Sequence, residues 1–385
     1  VLPLASVGDV NISPTYDLAV VGAGIVGLAH AYDAVTRGLT VVVLDRDERA
    51  VGASIRNFGH ICTTAQTGRA LELALVARER WLQLGRKAGF DVRECGTLVL
   101  ARADDERAVL EELAASRGAD HVRFLDRDEA SDLPIGGRDV VAAAHLPLDL
   151  RVDPRTAPAA IARWLADEGV DFRWRSSVAS IEASGTSGSA TVRTSRGRVT
   201  ARRVVVATGH DIDRLYPDLA DARAVTRCRL QMLEVAPPGG VRIQPAVLTG
   251  LSMLRYGAMA STAAADAVRQ RFATDQPELL DVEMNLMLTQ RPDGAIVLGD
   301  THHYATTPLP FNEEQDAQLL LREGARLFGT DLTVLRRWSG VYASSPQTDF
   351  LIEAPEPAVR LVAVTSGIGM TTALGLAPTV LSDLF

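Results

Sequence analysis

The segment Gly22-Ala23-Gly24-Ile25-Val26-Gly27 constrains this chain more than any other. It reads G-x-G-x-x-G and stands between an apolar β-branched run, residues 17–21, and an Ala/Leu-rich stretch, residues 25–37, that closes at Gly38. A second β-branched run, residues 40–44, follows, so the order is strand, helix, strand. In a βαβ unit each glycine has a reason. Gly22 permits the tight turn, Gly24 lets backbone approach a pyrophosphate, and Gly27 lets the helix pack on the strand. The helix start at Ile25 and Val26 presents free N–H groups and partial positive charge to phosphate. Asp45 ends the second strand where an acid meets a ribose 2′-hydroxyl, with Asp47 and Glu48 as alternatives. The glycines alone serve any dinucleotide.

At 385 residues the chain passes the size at which one core stops growing, so two units are expected. Its 47% hydrophobic and 23% charged residues are those of a globular protein. A net charge of −8 argues against a nucleic-acid partner. Lys87 is the only lysine, which leaves arginine to hold oxyanions and all but removes Schiff-base chemistry. Cys62, Cys95 and Cys228 are too scattered for a disulfide framework or a zinc cluster, no metal is expected, and a reducing cytoplasm suits them. No apolar run reaches the roughly 18 residues of a membrane span. The first dozen residues read as a loose leader, and 184–189 as a Ser/Gly/Thr loop.

Periodicity predicts a long domain-crossing helix over 69–88, its apolar face made by Leu71, Ala74, Leu75, Trp81, Leu82 and Leu84. Further helices are expected at 104–116, from Asp153-Pro154 through 168, and at 276–288, 313–327 and 371–384. Strands are expected at 97–101, 142–145, around Val178 and Val192, and at 203–209, 230–235, 252–256, 295–298 and 360–365. Two remote features extend the dinucleotide reading. Ala207-Thr208-Gly209 ends a buried strand with small residues, suiting close passage by a nucleotide. Gly367-Ile368-Gly369-Met370-Thr371 leads into the last helix, whose free N–H groups suit the charge of a reduced flavin. Together they favour FAD. The expected class is α/β. A Rossmann-type FAD-binding domain (16–90, 150–215 and 336–385) interleaves with an α+β substrate domain on an antiparallel sheet (91–149 and 216–335).

These segments, with Gly52-Ala53-Ser54-Ile55-Arg56-Asn57-Phe58-Gly59 and Pro378, resemble the D-amino acid oxidase, glycine oxidase and sarcosine oxidase family of flavoproteins over 16–385. The resemblance implies FAD between a Rossmann domain and a covering sheet, with hydride passing from a C–H beside nitrogen to flavin N5. It places Arg46, Ser54, Arg56, Asn57, Gly59, Val178, Trp338 and Gly340 at the cofactor. Within the family, Gly52 to His60, Arg227-Cys228-Arg229-Leu230-Gln231-Met232 and Gly299-Asp300-Thr301-His302-His303-Tyr304 look most like enzymes of phosphonate breakdown. That implies 2-aminoethylphosphonate or its N-methyl form as substrate and phosphonoacetaldehyde as product. Relatives carry a carboxylate-clamping arginine where this chain has Tyr342, which puts a plain amino acid in doubt. The cysteine that tethers flavin in monomeric sarcosine oxidases is here Gly340, so FAD is expected to be held non-covalently. Lys87 lies in the wrong segment to serve oxygen, so O2 and another electron acceptor both stay open.

An anionic amine needs fixed donors at one end of its pocket and little acid–base help at the other. His60, Arg255, His302 and Tyr342 are the candidate catalytic residues. Arg255-Tyr256 ends an apolar run, so one of the pair points inward and a solvated arginine is the bland alternative. His302 or His303 faces the flavin and its neighbour solvent, unless both are ordinary loop residues. Asn57 suits a turn as well as a site, and Trp338 and Tyr342 suit a core as well as a pocket wall. The competing functions are a D-amino acid or glycine oxidase, a 2-hydroxyacid-oxidising flavoprotein, and a non-catalytic protein retaining a nucleotide.

Overall fold

Thr15–Val21 pairs in parallel with Val41–Leu44 on one side and with Gly197–Val206 on the other. Leu18, Ala19 and Val20 are wholly buried because this central strand is covered on both faces, which explains its unbroken apolar run. The computed structural model describes residues 15–136, 139–183 and 189–385. The expected leader and 184–188 of the expected loop lie outside them.

Two eight-stranded sheets and one three-stranded sheet organise the described residues. In the first, Gly197–Val206 receives Ala190–Thr194 along its first half and Val359–Val364 along its second. Beginning, middle and end of the chain therefore meet in one sheet. The second sheet runs from Val334–Ser344 through Thr226–Val235 and Ile296–Ala305 to Thr97–Ala101 and beyond. It is antiparallel as expected except where Ala246–Leu248 lies parallel to Thr97–Ala101. Short strands at His60–Ile61, Leu150–Val152 and Val92–Arg93 form the third sheet.

The buried side chains of the helix Gly68–Ala88, Ala70, Leu73, Ala77, Trp81 and Leu84, pack in the core of the first sheet. Trp81 is fully buried there and its Nε1 donates to the Met370 carbonyl at 2.8 Å. A Cβ on Gly375 would stand 2.0 Å from the Leu73 carbonyl oxygen, so glycine sets how closely the last helix, Gly369–Leu384, approaches. Leu75, expected on the apolar face, is 43% exposed.

Three expected elements differ. Residues 252–256 belong to a helical turn, Gly250–Met253, and the loop after it. Thr249 and Ser252 cap that turn reciprocally and a buried apolar run reads alike as strand or helix. The segment expected as one helix at 276–288 holds only the short helix Pro277–Asp281 and the start of the strand Met287–Gln290; the longer helix, Ala265–Asp275, precedes it and ends before Pro277. The helix opened by Asp153 begins at Ala157, whose N–H donates to the Asp153 carbonyl.

Candidate functional site

A cavity of ≈ 1030 Å³ runs from the glycine turn of the first sheet to the inner face of the second. Its size suits a large cofactor together with a small ligand.

The nucleotide end is built from backbone. Gly22 has φ +106°, and a Cβ there would meet the Ala207 carbonyl oxygen at 2.4 Å. A Cβ on Gly27 would stand 1.8 Å from the Gly22 oxygen, so Gly27 acts in packing and does not line the cavity, whereas Gly22, Gly24, Ile25 and Val26 do. Ser54 Oγ accepts from the Ile25 N–H at 2.8 Å and holds the 53–57 segment against the helix start. Asp45, rather than Asp47 or Glu48, closes the turn, accepting from the Ala23 N–H at 2.7 Å and the Asp47 N–H at 2.9 Å. Burial raises the Asp45 pKa while those two N–H donors pull it down. Val178, Ala207, Thr208 and Gly209 complete this wall, with Ser176, which carries no sequence signal. Arg46 lines it too and pairs with Asp211 at 2.7 Å.

The start of the last helix lines the cavity through Gly367, Gly369 and Met370, as does Gly340. Thr371 does not line it; its hydroxyl accepts from the Cys62 N–H at 3.1 Å. Arg56 lines the cavity and donates to the Ser339 carbonyl at 3.2 Å. Asn57 lines it while making a turn, its amide donating to the Ala53 and Ser54 carbonyls and its oxygen accepting from the Gly59 N–H. Gly59 itself is a packing glycine, where a Cβ would meet the Val152 oxygen at 2.0 Å. Trp338 also lies off the cavity, its Nε1 on the Arg56 carbonyl and the Arg155 guanidinium 5.1 Å above its ring.

His60 is the clearest correction. Its Nε2 donates to Thr97 Oγ1 at 2.7 Å, the Thr97 hydroxyl donates to Asp149, and Asp149 also accepts from the Thr63 and Thr64 N–H groups. His60, Cys62 and Asp149 form a buried polar cluster away from the cavity. Burial pushes the Cys62 thiol up, with Asp149 adding to it.

The far end is built from side chains. Arg255 Nη2 donates to the Tyr342 hydroxyl at 2.8 Å, and both line the cavity. Burial opposes the guanidinium's charge, and Tyr342, Tyr304 and Asp300 outweigh it, so Arg255 is held protonated. His302 lines the same end, and burial followed by Arg255 drives its pKa well below the usual range. Its Nδ1 faces the Glu283 carbonyl at 2.8 Å, so in the neutral ring Nδ1 carries the proton and Nε2 the lone pair. His303 turns the other way onto Asp316. Tyr256 lines the pocket beside Met287. Asp300 and Asn285 are site members that sequence reasoning missed. Asp300 stands inside the 299–304 segment, but Asn285 carries no signal.

Three buried polar atoms of cavity-lining residues, Thr208 Oγ1, Ser366 Oγ and Asn285 Oδ1, have no hydrogen-bond partner among the described residues. Two helix N-termini, a glycine cradle that a Cβ would fill and unpaired hydroxyls fit a flavin dinucleotide. Known proteins agree. The family model described as DAO, FAD dependent oxidoreductase, matches residues 17–380. The chain belongs to this family: it is an FAD-dependent oxidoreductase, with FAD as its cofactor. Glycine oxidase of Bacillus licheniformis is 28% identical over 204 residues, 50% of this chain and about half (54%) of that protein. An opine oxidase chain of Agrobacterium tumefaciens is 24% identical over 372 residues, 91% of this chain and 89% of that one. Glycine oxidase from Geobacillus kaustophilus shares the fold at TM-score 0.76 and 20% identity, covering 96% of this chain and 94% of that one. L-α-glycerophosphate oxidase from Mycoplasma pneumoniae, solved with FAD bound, does so at 0.77 and 19%, covering 96% and 95%. No helix of the described residues is long and apolar enough to cross a membrane.

Proposed function

We propose that this enzyme oxidises a small anionic amine at the carbon beside nitrogen, with 2-aminoethylphosphonate or its N-methyl form as substrate and phosphonoacetaldehyde as product once water hydrolyses the imine. One observation carries the reading. The Arg255 guanidinium faces the cavity with a neutral phenol, Tyr342, as its hydrogen-bonded partner, and it forms no carboxylate ion pair within 4.0 Å among the described residues. A half-buried guanidinium with no carboxylate within ion-pair distance suits an oxyanion, which its fork binds in a fixed orientation. Tyr342 in place of a second arginine suits a tetrahedral anion that also takes a hydroxyl donor.

The cavity lining around Gly22, Gly24, Ala207, Gly340 and Gly367 would hold FAD non-covalently, and FAD would supply the acceptor for the hydride. The chain's own residues bind and orient: Arg255 and Tyr342 fix the anion, and Tyr256, His302 and the start of the last helix wall the pocket. In this reading segments 16–90, 150–215 and 336–385 serve FAD, and 91–149 and 216–335 serve the substrate. Cys62, Cys95 and Cys228 are all free, which suits a reducing cytoplasm.

The test is anaerobic mixing of the flavin-loaded enzyme with a substrate panel. Bleaching by 2-aminoethylphosphonate or its N-methyl form is expected. Bleaching only by glycine or D-alanine would replace the phosphonate with a carboxylate, and bleaching only by 2-hydroxyacids would remove the amine.

A further inference from the structure

We infer that Asp300 binds the ammonium group of the substrate and takes its proton, at the same end of the pocket as Arg255 and Tyr342. This rests on the reading of the pocket as a site for an anionic amine and names the group that would read the amine.

Asp300 sits at an irregularity in the pairing of Ile296–Ala305 with Thr226–Val235. Gly299 stands opposite Met232 and Thr301 opposite Gln231, which leaves Asp300 as the extra residue. A bulge of this kind re-aims a side chain. The backbone of Asp300 pairs instead with Asn285, donating to its carbonyl at 2.7 Å and accepting from its N–H at 2.9 Å. The carboxyl is buried yet lines the cavity. Oδ1 accepts from Asn285 Nδ2 at 3.1 Å, and Oδ2 lies 3.8 Å from His302 Nε2, too far for a hydrogen bond.

The protons around it decide what this corner recognises. His302 has its proton on Nδ1, spent on the Glu283 carbonyl, so Nε2 offers a lone pair. Asn285 Oδ1 is a buried acceptor without a partner among the described residues. Asp300 Oδ2, His302 Nε2 and Asn285 Oδ1 are three acceptors at one end of the cavity, and an ammonium brings up to three N–H donors. Hydride cannot leave the α-carbon while nitrogen's lone pair holds a proton, and a free alkylammonium loses that proton only near pH ~10. Transfer to Asp300 breaks an N–H bond, forms an O–H bond at Oδ2 and leaves the electron pair on nitrogen, with no change of oxidation state. The acid then returns its proton to water.

Burial pushes the Asp300 carboxyl up to about 7, against Arg255 and Asn285, which favour the anion. Arg255, Tyr256, Cys228 and His302 are the titratable groups facing it, and Arg255 also faces Tyr342 and Tyr304. Below that pH the carboxyl is a neutral acid that takes no proton and offers the ammonium no charge, so amine binding and deprotonation both rise as pH increases through about 7.

The experiment titrates the flavin-loaded enzyme anaerobically with matched ligands, 2-aminoethylphosphonate against ethylphosphonate and glycine against acetate, reading the flavin spectrum across pH. Wild type should prefer the amine-bearing partner by about 10-fold or more on the alkaline side, with the preference fading as pH falls. Asp300→Asn should keep its flavin and its affinity for ethylphosphonate, lose the preference, and reduce its flavin about 100-fold more slowly with the neutral-pH limb gone. Retention of both the preference and the limb in Asp300→Asn would overturn the role. If the variant fails to hold flavin, the wild-type titration decides, and a preference flat across pH overturns the assignment. If 2-aminoethylphosphonate does nothing while glycine binds, the phosphonate reading fails, and Asp300 is judged on glycine against acetate. No preference in either pair refutes Asp300.

Discussion

The two ends of the cavity are made of different material. At the nucleotide end the contacts are main chain: Gly22, Gly24, the start of Ile25–Thr36 and the turn closed by Asp45. At the other end they are side chains from four separate segments, Arg255, Asn285, Asp300 and Tyr342. Backbone recognition needs glycine and fixed spacing, and it tolerates little substitution. Side-chain recognition can change while the fold stays, which is how a family with one cofactor takes many substrates. A second contrast sharpens the first. Asp149 and Asp300 are both buried carboxylates with a histidine nearby, yet Asp149 accepts from two N–H groups and the Thr97 hydroxyl, while Asp300 accepts one side-chain hydrogen bond. The saturated carboxylate is structural, and the under-coordinated one faces a ligand cavity.

The comparison breaks most sharply at Gly27. Gly27→Val places a carbon where a Cβ would stand 1.8 Å from the Gly22 oxygen, so flavin content and folded yield should both collapse. A flavin-loaded Gly27→Val protein would show that the turn is not the rigid element described. Arg255→Met should do the opposite, retaining flavin while kcat/KM for the anionic substrate falls about 1000-fold, ~4 kcal/mol. Steady-state kinetics beside a visible spectrum separates the two, and equal loss of flavin and activity would merge the ends into one unit. Asp149→Ala leaves the buried His60 and Thr97 without their acceptor and should cost about 3 kcal/mol in denaturant unfolding, without altering the pH profile of flavin reduction. A shifted profile would make that cluster part of the chemistry. The smallest effect is expected for Thr208→Val, which removes a hydroxyl unpartnered within the protein and should weaken FAD about 5-fold, ~1 kcal/mol, in a flavin-release titration.

How much is legible in the sequence follows the same division. Gly22, Gly24, Asp45, Ala207, Gly367 and Gly369 are readable because a turn, a buried strand end and a helix start each demand particular residues at short spacing. Segment chemistry points to Arg255 and Tyr342, but the run that leads to Arg255 reads as a strand and is a capped helical turn. His60 misleads because a histidine after a cofactor segment looks alike whether it meets flavin or Asp149. Nothing local marks Asn285, whose role comes from pairing with Asp300 across 15 residues of chain.

The sequence by itself determined the βαβ unit and the FAD-dependent family, because backbone geometry is written in local spacing. Tertiary structure alone decided which polar side chains face the cavity and which are consumed by neighbours. Whether a buried group is free to act depends on partners that arrive from elsewhere in the chain, and no spacing rule encodes them.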